Sequence, residues 1–177
     1  MKAKDLNNLQ LIGLMSGTSL DGLDIAHVKF HFTSSQNVDF KIINAETITY
    51  PHALLERLKL SAELNGSDLF QLHHDLGLYY ADCLKAFSLK NGVNLAEIDA
   101  VASHGQTIFH RPDLGYTVQI GCGVTLNYHT GAPVINDFRT LDVVAGGQGA
   151  PLVPLGDAFL FTKKADGFLN LGGFANI

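Results

Sequence analysis

The sequence predicts an α/β lobe: a mixed sheet that starts as an antiparallel three-stranded meander, with helices on both faces. Three observations predict it. Three runs rich in apolar and β-branched residues come first, separated by turn sequences. Two stretches of helical periodicity follow them. Short apolar runs then alternate with helix-sized segments, an order that demands crossovers and so mixes parallel with antiparallel pairing.

The apolar run 9–15 feeds into Ser16-Gly17-Thr18-Ser19, and Asp21-Gly22 turns the chain into a second run, 23–32, so the two read as a hairpin. Residues 39–50 are rich in β-branched side chains and make a third strand, broken by Pro51. From 51 to 64, Leu54, Leu55, Leu58 and Leu64 recur at helical spacing, with Pro51 in the first turn and Asn65-Gly66 as a stop. A longer helix runs from Ser67 or Asp68 to about Lys90. Its residues Leu69, Leu72, Leu76, Tyr80, Leu84 and Phe87 track one broad face, and Asn91-Gly92 ends it. His73 and His74 project from it in different directions and read as surface or packing residues, not as a shared metal site.

Residues 98–103 form a short buried strand. Residues 107–110 and 116–120 flank the turn sequence 111–115 as a small hairpin. A short helix over 123–130 is closed by Gly131, and residues 133–136 are another strand. A helix spans 150–161 from Pro151, a turn occupies 163–167, and 168–171 is a final strand.

At 177 residues the chain can bury a core as one domain or as one lobe of something larger. Apolar content of 46% with 16% charged residues is globular in character. A formal charge of −5 disfavours nucleic acid and anionic membranes as partners. Cys83 and Cys122 stand far apart without a C-x-x-C pattern, which fits buried, reduced thiols. No run of 18 apolar residues occurs and the N-terminus lacks the core of a signal peptide, so a cytoplasmic location is expected.

Polar residues concentrate at strand ends. In residues 16–24 glycine lets backbone N–H groups approach an anion while hydroxyls add donors, a nest suited to phosphate. Asp21 and Asp24 suit such a nest when a divalent cation sits between them and the phosphate. No Walker pattern G-x-x-x-x-G-K-[ST] is present. Ser103-His104-Gly105-Gln106-Thr107 follows a buried strand, where ligands of open α/β sheets gather, and His104 and Gln106 can hydrogen-bond a sugar or phosphate. Asp137 and Asp142 lie five residues apart around Arg139, a set able to divide positioning, charge neutralisation and proton abstraction; a structural Asp–Arg pair is the plainer reading. Three glycines within 146–149 imply unusual dihedrals or close approach of a ligand ahead of a helix start. Residues 170–176 repeat the opening theme of a strand followed by a Gly-rich turn, suggesting the second half of a split nucleotide site.

MSGTSLDG at 15–22, His104-Gly105-Gln106-Thr107, Asp137-Phe138-Arg139, Asp142, GQGAPLVP at 147–154 and Asn170-Leu171-Gly172-Gly173-Phe174-Ala175-Asn176 together resemble the anhydro-N-acetylmuramic acid kinase family. The resemblance covers the whole chain. It implies an actin-like ATPase (ribonuclease H-like) fold in which two lobes close over ATP and each contributes a phosphate hairpin. It also implies the reaction: ATP phosphorylates 1,6-anhydro-N-acetylmuramic acid on O6 while water opens the anhydro ring at C1, giving N-acetylmuramic acid 6-phosphate in cell-wall recycling.

On that resemblance Asp142 is the general base. ATP is held by Gly17, Thr18, Ser19, Leu20, Asp21, Gly22, Leu23 and Asp24 with Gly172, Gly173 and Asn176, and Asp21 and Asp24 help place Mg²⁺. His104, Gln106, Thr107, Asp137, Arg139 and Gly149 contact or frame the amino sugar, whose lactyl carboxylate suits Arg139 or a helix start at 149–151. A homodimer is implied. Family members run to roughly twice this length, so residues 1–166 are expected to be the N-terminal lobe and 167–177 the beginning of a second, with weak nucleotide binding and little turnover by the lobe alone. The other reading is an actin-like ATP-binding module without sugar kinase activity.

Overall fold

The structure, a computed structural model, describes residues 7–34, 37–161, 165, 167–171 and 175–176. Strands β1 (Asn8–Ser16) and β2 (Leu23–Ser34) pair antiparallel from Asn8↔His31 to Ser16↔Leu23, and residues 17–22 join them. Strand β3 (Asn37–Ile48) adds antiparallel to β2, with a register shift at His27/Val28. On the other side β1 pairs parallel with β4 (Ala100–Ser103), and β4 pairs parallel with β7 (Val134–Asn136). The order β3-β2-β1-β4-β7 is the expected mixed sheet, meander first.

Alternation decides which face is buried. Ile12, Leu14 and Ser16 of β1 and Leu23, Ile25 and His27 of β2 point to one side and are buried there. Helix α2 (Gly66–Asn91) covers that side with Leu72, Leu76, Tyr80, Leu84 and Phe87, spaced four, four, four and three apart. Each such side chain contributes about 1.5–3 kcal/mol of burial free energy before its lost rotamer freedom is subtracted. Phe40 of β3 lies opposite Phe30 and so points to the other face. There the ring of Phe161, just after α5 (Val153–Leu160), meets it edge-on at 5.4 Å.

Asn65-Gly66, expected to stop the preceding helix, instead begin α2. The Asn65 side chain accepts the Asp68 N–H at 3.0 Å, a typical N-cap, and Gly66 is the first helical residue. The earlier helix α1 (His52–Lys59) therefore ends sooner, and a single tight turn at Ser61–Glu63 links the two. Strands β5 (Gln106–Arg111) and β6 (Tyr116–Ile120) form their own two-stranded sheet. Helix α3 (Gly123–Thr130) follows and packs on α2, as close as it does because Gly77 has no side chain: a Cβ there would lie 2.7 Å from the Cys122 carbonyl oxygen.

Two expectations near the end of the chain change. Residues 140–144, to which the sequence assigns no element, make a short helix α4 (Thr140–Val144), and the helix expected from Pro151 starts at Val153. The last strand is shorter than expected: β8 (Asn170–Leu171) pairs antiparallel with β9 (Ala175–Asn176). Most of the expected turn over 163–167 lies outside the described residues. No helix among the described residues is long and apolar enough to cross a membrane.

Candidate active site at the carboxyl edge of the sheet

Parallel strands end in register: Leu14 of β1 is level with Ser103 of β4, and Ser103 with Asn136 of β7. The loops leaving these strands emerge along one edge, residues 17–22 from β1, 104–105 from β4 and 137–139 from β7. Neighbouring strands lie about 4.8 Å apart, so the outer two loops start about 10 Å from each other. This is the crevice outside the carboxyl ends of strands in which ligands of α/β sheets bind. The backbone ties the middle loop to strand β1 through a 3.0 Å bond from the His104 N–H to the Leu14 carbonyl.

Within the first loop the Leu20 N–H donates to the Gly17 carbonyl at 3.1 Å, closing a turn. Ser19 Oγ donates to Asp21 Oδ1 at 3.0 Å, and Thr47 Oγ1 donates to Asp24. Thr18, Ser19, Asp21 and Asp24 are exposed, while Gly22 and Leu23 are buried. Gly22 lies so close to β3 that a Cβ would sit 2.7 Å from the Ile48 carbonyl oxygen. Among the described residues the non-glycine residues in the left-handed region are Leu20 (φ 55°) and Asp137 (φ 59°), one in the first loop and one in the third. Backbone strain of this kind gathers at functional sites.

The second and third loops meet through Arg139. Its Nε donates to His104 Nε2 at 2.9 Å and its Nη1 to the Gly149 carbonyl at 2.6 Å. A guanidinium only donates, so His104 Nε2 is an acceptor and the ring proton sits on Nδ1, which donates to the Gly105 carbonyl at 2.8 Å. Burial holds His104 below the ordinary imidazole pKa; the Gly105 carbonyl opposes this and the Arg139 charge adds to it. Arg139 forms no ion pair among the described residues. The expected alternative of a structural Asp–Arg pair is therefore not what forms. Two neutral acceptors hold the guanidinium, so its charge is available to an anion.

Asp142 stands one helical turn beyond Arg139 on α4. Its Oδ2 accepts the Gly149 N–H at 2.7 Å and its backbone carbonyl accepts the Gly147 N–H at 2.8 Å. A Cβ on Gly147 would lie 2.3 Å from Asp142 Oδ2, so the carboxylate rests in the space that a missing side chain leaves. Gly149 has φ 64°, and a Cβ on it would meet Val143 Cγ2 at 2.6 Å. Both glycines are required by this geometry. Asp137 Oδ1 accepts the Thr140 N–H at 3.3 Å and so supports the start of α4.

Gln106 is buried, and its Oε1 accepts from Ser16 Oγ, which itself accepts from Tyr50 Oη at 2.6 Å. Thr107 Oγ1 accepts from Gln119 Nε2 at 3.3 Å. Gln106 thus links the first and second loops from beneath. Ser16 and Tyr50 belong to the same relay: Ser16, expected among the hydroxyls of the phosphate nest, is buried and donates to Gln106 instead, and nothing near Tyr50 in the sequence signals its reach. Gly172 and Gly173 lie outside the described residues; Asn176 belongs to β9.

Hard oxygen donors suit Mg²⁺, which takes one or two carboxylates and completes its shell with water and substrate phosphates. The exposed carboxylates of Asp21 and Asp24 fit that donor set. No cluster of three metal-ligating side chains occurs among the described residues.

A sequence model of the family described as "Anhydro-N-acetylmuramic acid kinase" matches residues 9–177. Curated relatives named anhydro-N-acetylmuramic acid kinase include one from Francisella tularensis subsp. novicida, 39% identical over 175 residues, covering 93% of this chain and 46% of the relative. One from Shewanella woodyi is 41% identical over 173 residues, covering 94% and 46%. One from Pasteurella multocida is 39% identical over 173 residues, covering 94% and 45%. The chain spans about half the length of the curated relatives it matches. Together with an actin-like arrangement of sheet and loops, the match over 9–177 establishes that the chain belongs to the anhydro-N-acetylmuramic acid kinase family.

Proposed function

We propose that this chain forms the N-terminal lobe, residues 1–166, of an ATP-dependent kinase that phosphorylates 1,6-anhydro-N-acetylmuramic acid on O6 with hydrolytic opening of the anhydro ring. Residues 167–177 begin the second lobe, whose phosphate-binding residues include Gly172, Gly173 and Asn176. The observation that carries the reading is the shared carboxyl edge from which the 17–22 loop, His104 and Arg139 emerge, with Asp142 tied to Arg139 through Gly149.

Each residue has a definable task. Asp142 Oδ1 accepts no hydrogen bond among the described residues and serves to take the proton of a water molecule attacking C1, while Oδ2 stays anchored to Gly149. The water oxygen bonds to C1, the C1–O6 bond breaks with its electron pair moving to O6, and O6 takes the γ-phosphoryl group of ATP as the bond to ADP breaks and ADP leaves. Arg139 meets the lactyl carboxylate. His104 in its Nδ1–H tautomer fixes the guanidinium, Gln106 and Thr107 hold the floor of the sugar side, and Asp137 and Gly149 frame it. The N–H groups and hydroxyls of residues 17–22 receive the phosphates. Asp21 and Asp24 would hold Mg²⁺, which would supply neutralisation of phosphate charge.

The test is Asp142→Asn in an enzyme of the relatives' full length that carries this half. Sugar phosphorylation is expected to fall by about 10²–10⁴, with ATP affinity unchanged. Turnover at the parent rate overturns the assignment of the base. If ATP–Mg²⁺ binds and the anhydro sugar does not, the nucleotide-binding module without kinase activity is the better reading.

A further inference from the structure

Strand β3 ends beside the first loop, and Thr47 meets that loop's surroundings with both ends of its side chain. It stands directly opposite Asp24 of β2, and its hydroxyl donates to Asp24 Oδ1. Its methyl carbon lies 2.9 Å from the place a Cβ on Gly22 would take, with the Ile48 carbonyl oxygen 2.7 Å from the same place. One threonine thus serves the carboxylate with its hydroxyl and lies over the glycine with its methyl.

The strand end is itself held. Glu46 pairs with Lys90 of α2 at 2.9 Å, the Thr49 carbonyl accepts from Tyr79 Oη at 3.0 Å, and Tyr50 Oη donates to Ser16 Oγ at 2.6 Å. Thr47 therefore reaches Asp24 from a segment tied on both sides to α2 and β1. Asp21 is held differently: it accepts from Ser19 Oγ at 3.0 Å, a contact internal to the loop. Asp24 lies on a paired strand, and its Oδ2 accepts no hydrogen bond among the described residues.

We propose that Thr47 is a positioning residue for the divalent cation of a bound nucleotide: its hydroxyl fixes Asp24 through Oδ1 and leaves Oδ2 for the cation. The inference rests on the proposed nucleotide site, in which Asp21 and Asp24 would hold Mg²⁺. It adds a residue that acts only through Asp24. A carboxylate that binds a cation is commonly oriented by a hydrogen bond of this kind, which lowers the ordering cost of binding. A cross-strand threonine also stabilises a sheet, so the test has to separate the two roles.

NMR titration of the 177-residue chain with ATP, once with Mg²⁺ and once with EDTA, does so for the parent, Thr47→Val and Thr47→Ser. Mg²⁺ is expected to tighten ATP binding by the parent. Valine keeps the shape and suits a strand but lacks the hydroxyl. Thr47→Val should weaken binding with Mg²⁺ about tenfold and leave binding in EDTA unchanged. Thr47→Ser, which keeps the hydroxyl, should restore the response to Mg²⁺. An equal loss in Mg²⁺ and in EDTA overturns the proposal, because it marks a role in packing the loop alone. So does a Thr47→Val chain that matches the parent, or a Thr47→Ser chain that fails to recover the Mg²⁺ response. A parent chain that binds ATP no better with Mg²⁺ overturns the cation assignment to Asp21 and Asp24, and the role of Thr47 with it; that failure is visible before any variant is made.

Discussion

The carboxylate of Asp142 accepts the N–H of Gly149 at 2.7 Å, while the carbonyl of the same glycine is held by Arg139 at 2.6 Å. The backbone of one residue thus ties the proposed base to Arg139, the cation of the third loop. Arg139 and Asp142 are three apart at the start of α4 and share one side of it. Gly149 closes the chain back onto that side, and its backbone does so only with φ 64° and no Cβ.

Gly147→Ala is therefore expected to displace the carboxylate, because the new methyl would stand 2.3 Å from Oδ2. The cost should be about 1–3 kcal/mol by urea denaturation. Gly131→Ala is the control: its φ is 70° but the space around it is open, so only backbone strain of about 1–2 kcal/mol applies. Sugar affinity in the full-length context should fall with the first variant and hold with the second.

Arg139→Lys keeps the charge and loses the fork. A single ammonium on a flexible stem cannot hold the His104 ring and the Gly149 carbonyl while presenting further N–H groups to a carboxylate. Calorimetry in the full-length context should show binding of the acidic sugar weakened about tenfold or more. A sugar analogue without the carboxylate should lose little.

Stability should decline as pH falls below the free imidazole value of about 6.5. Burial lowers the pKa of His104, His27 and His73 in the folded chain, so the unfolded chain takes up protons first and gains on the native state as pH drops. Above that value both states are neutral and the contribution is flat. Thermal melts from pH 8 to pH 5 check the slope. His104→Gln should flatten it in part, and the Nδ1–H tautomer should be visible in ring nitrogen shifts.

Tyr50→Phe removes one hydroxyl from the buried relay to Ser16 and Gln106. The expected loss is about 1 kcal/mol. Ser16→Ala should cost more, because it strands both the Tyr50 hydroxyl and the Gln106 carbonyl, at about 1–3 kcal/mol for each group. Equal losses from the two variants, measured by denaturant midpoint, would show that the relay is not a unit.

Local pattern made much of the fold legible. Alternation and the Asp21-Gly22 turn specified the first hairpin, the spacing of Leu72, Leu76, Tyr80 and Leu84 specified α2, and Gly131 marked the end of α3. Asn65 misled because Asn serves both ends of helices, and here its side chain caps the second one. Helix α4 was hidden because five residues carry too little periodicity to distinguish a helix from a loop.

What the sequence by itself determined was therefore most of the strands and helices, many of their turns, and the family to which their motifs point. Its period-2 and period-3.6 patterns dictate which face each element buries, and glycine and proline dictate where the chain turns. Only the tertiary structure decided that Arg139 holds His104 across 35 residues and that Ser16 reaches Gln106 across 90. It also decided that His27 is buried without a partner. Those relations depend on which strand ends lie side by side after the crossovers, and that order follows from how all the buried faces pack at once, which no single stretch of sequence encodes.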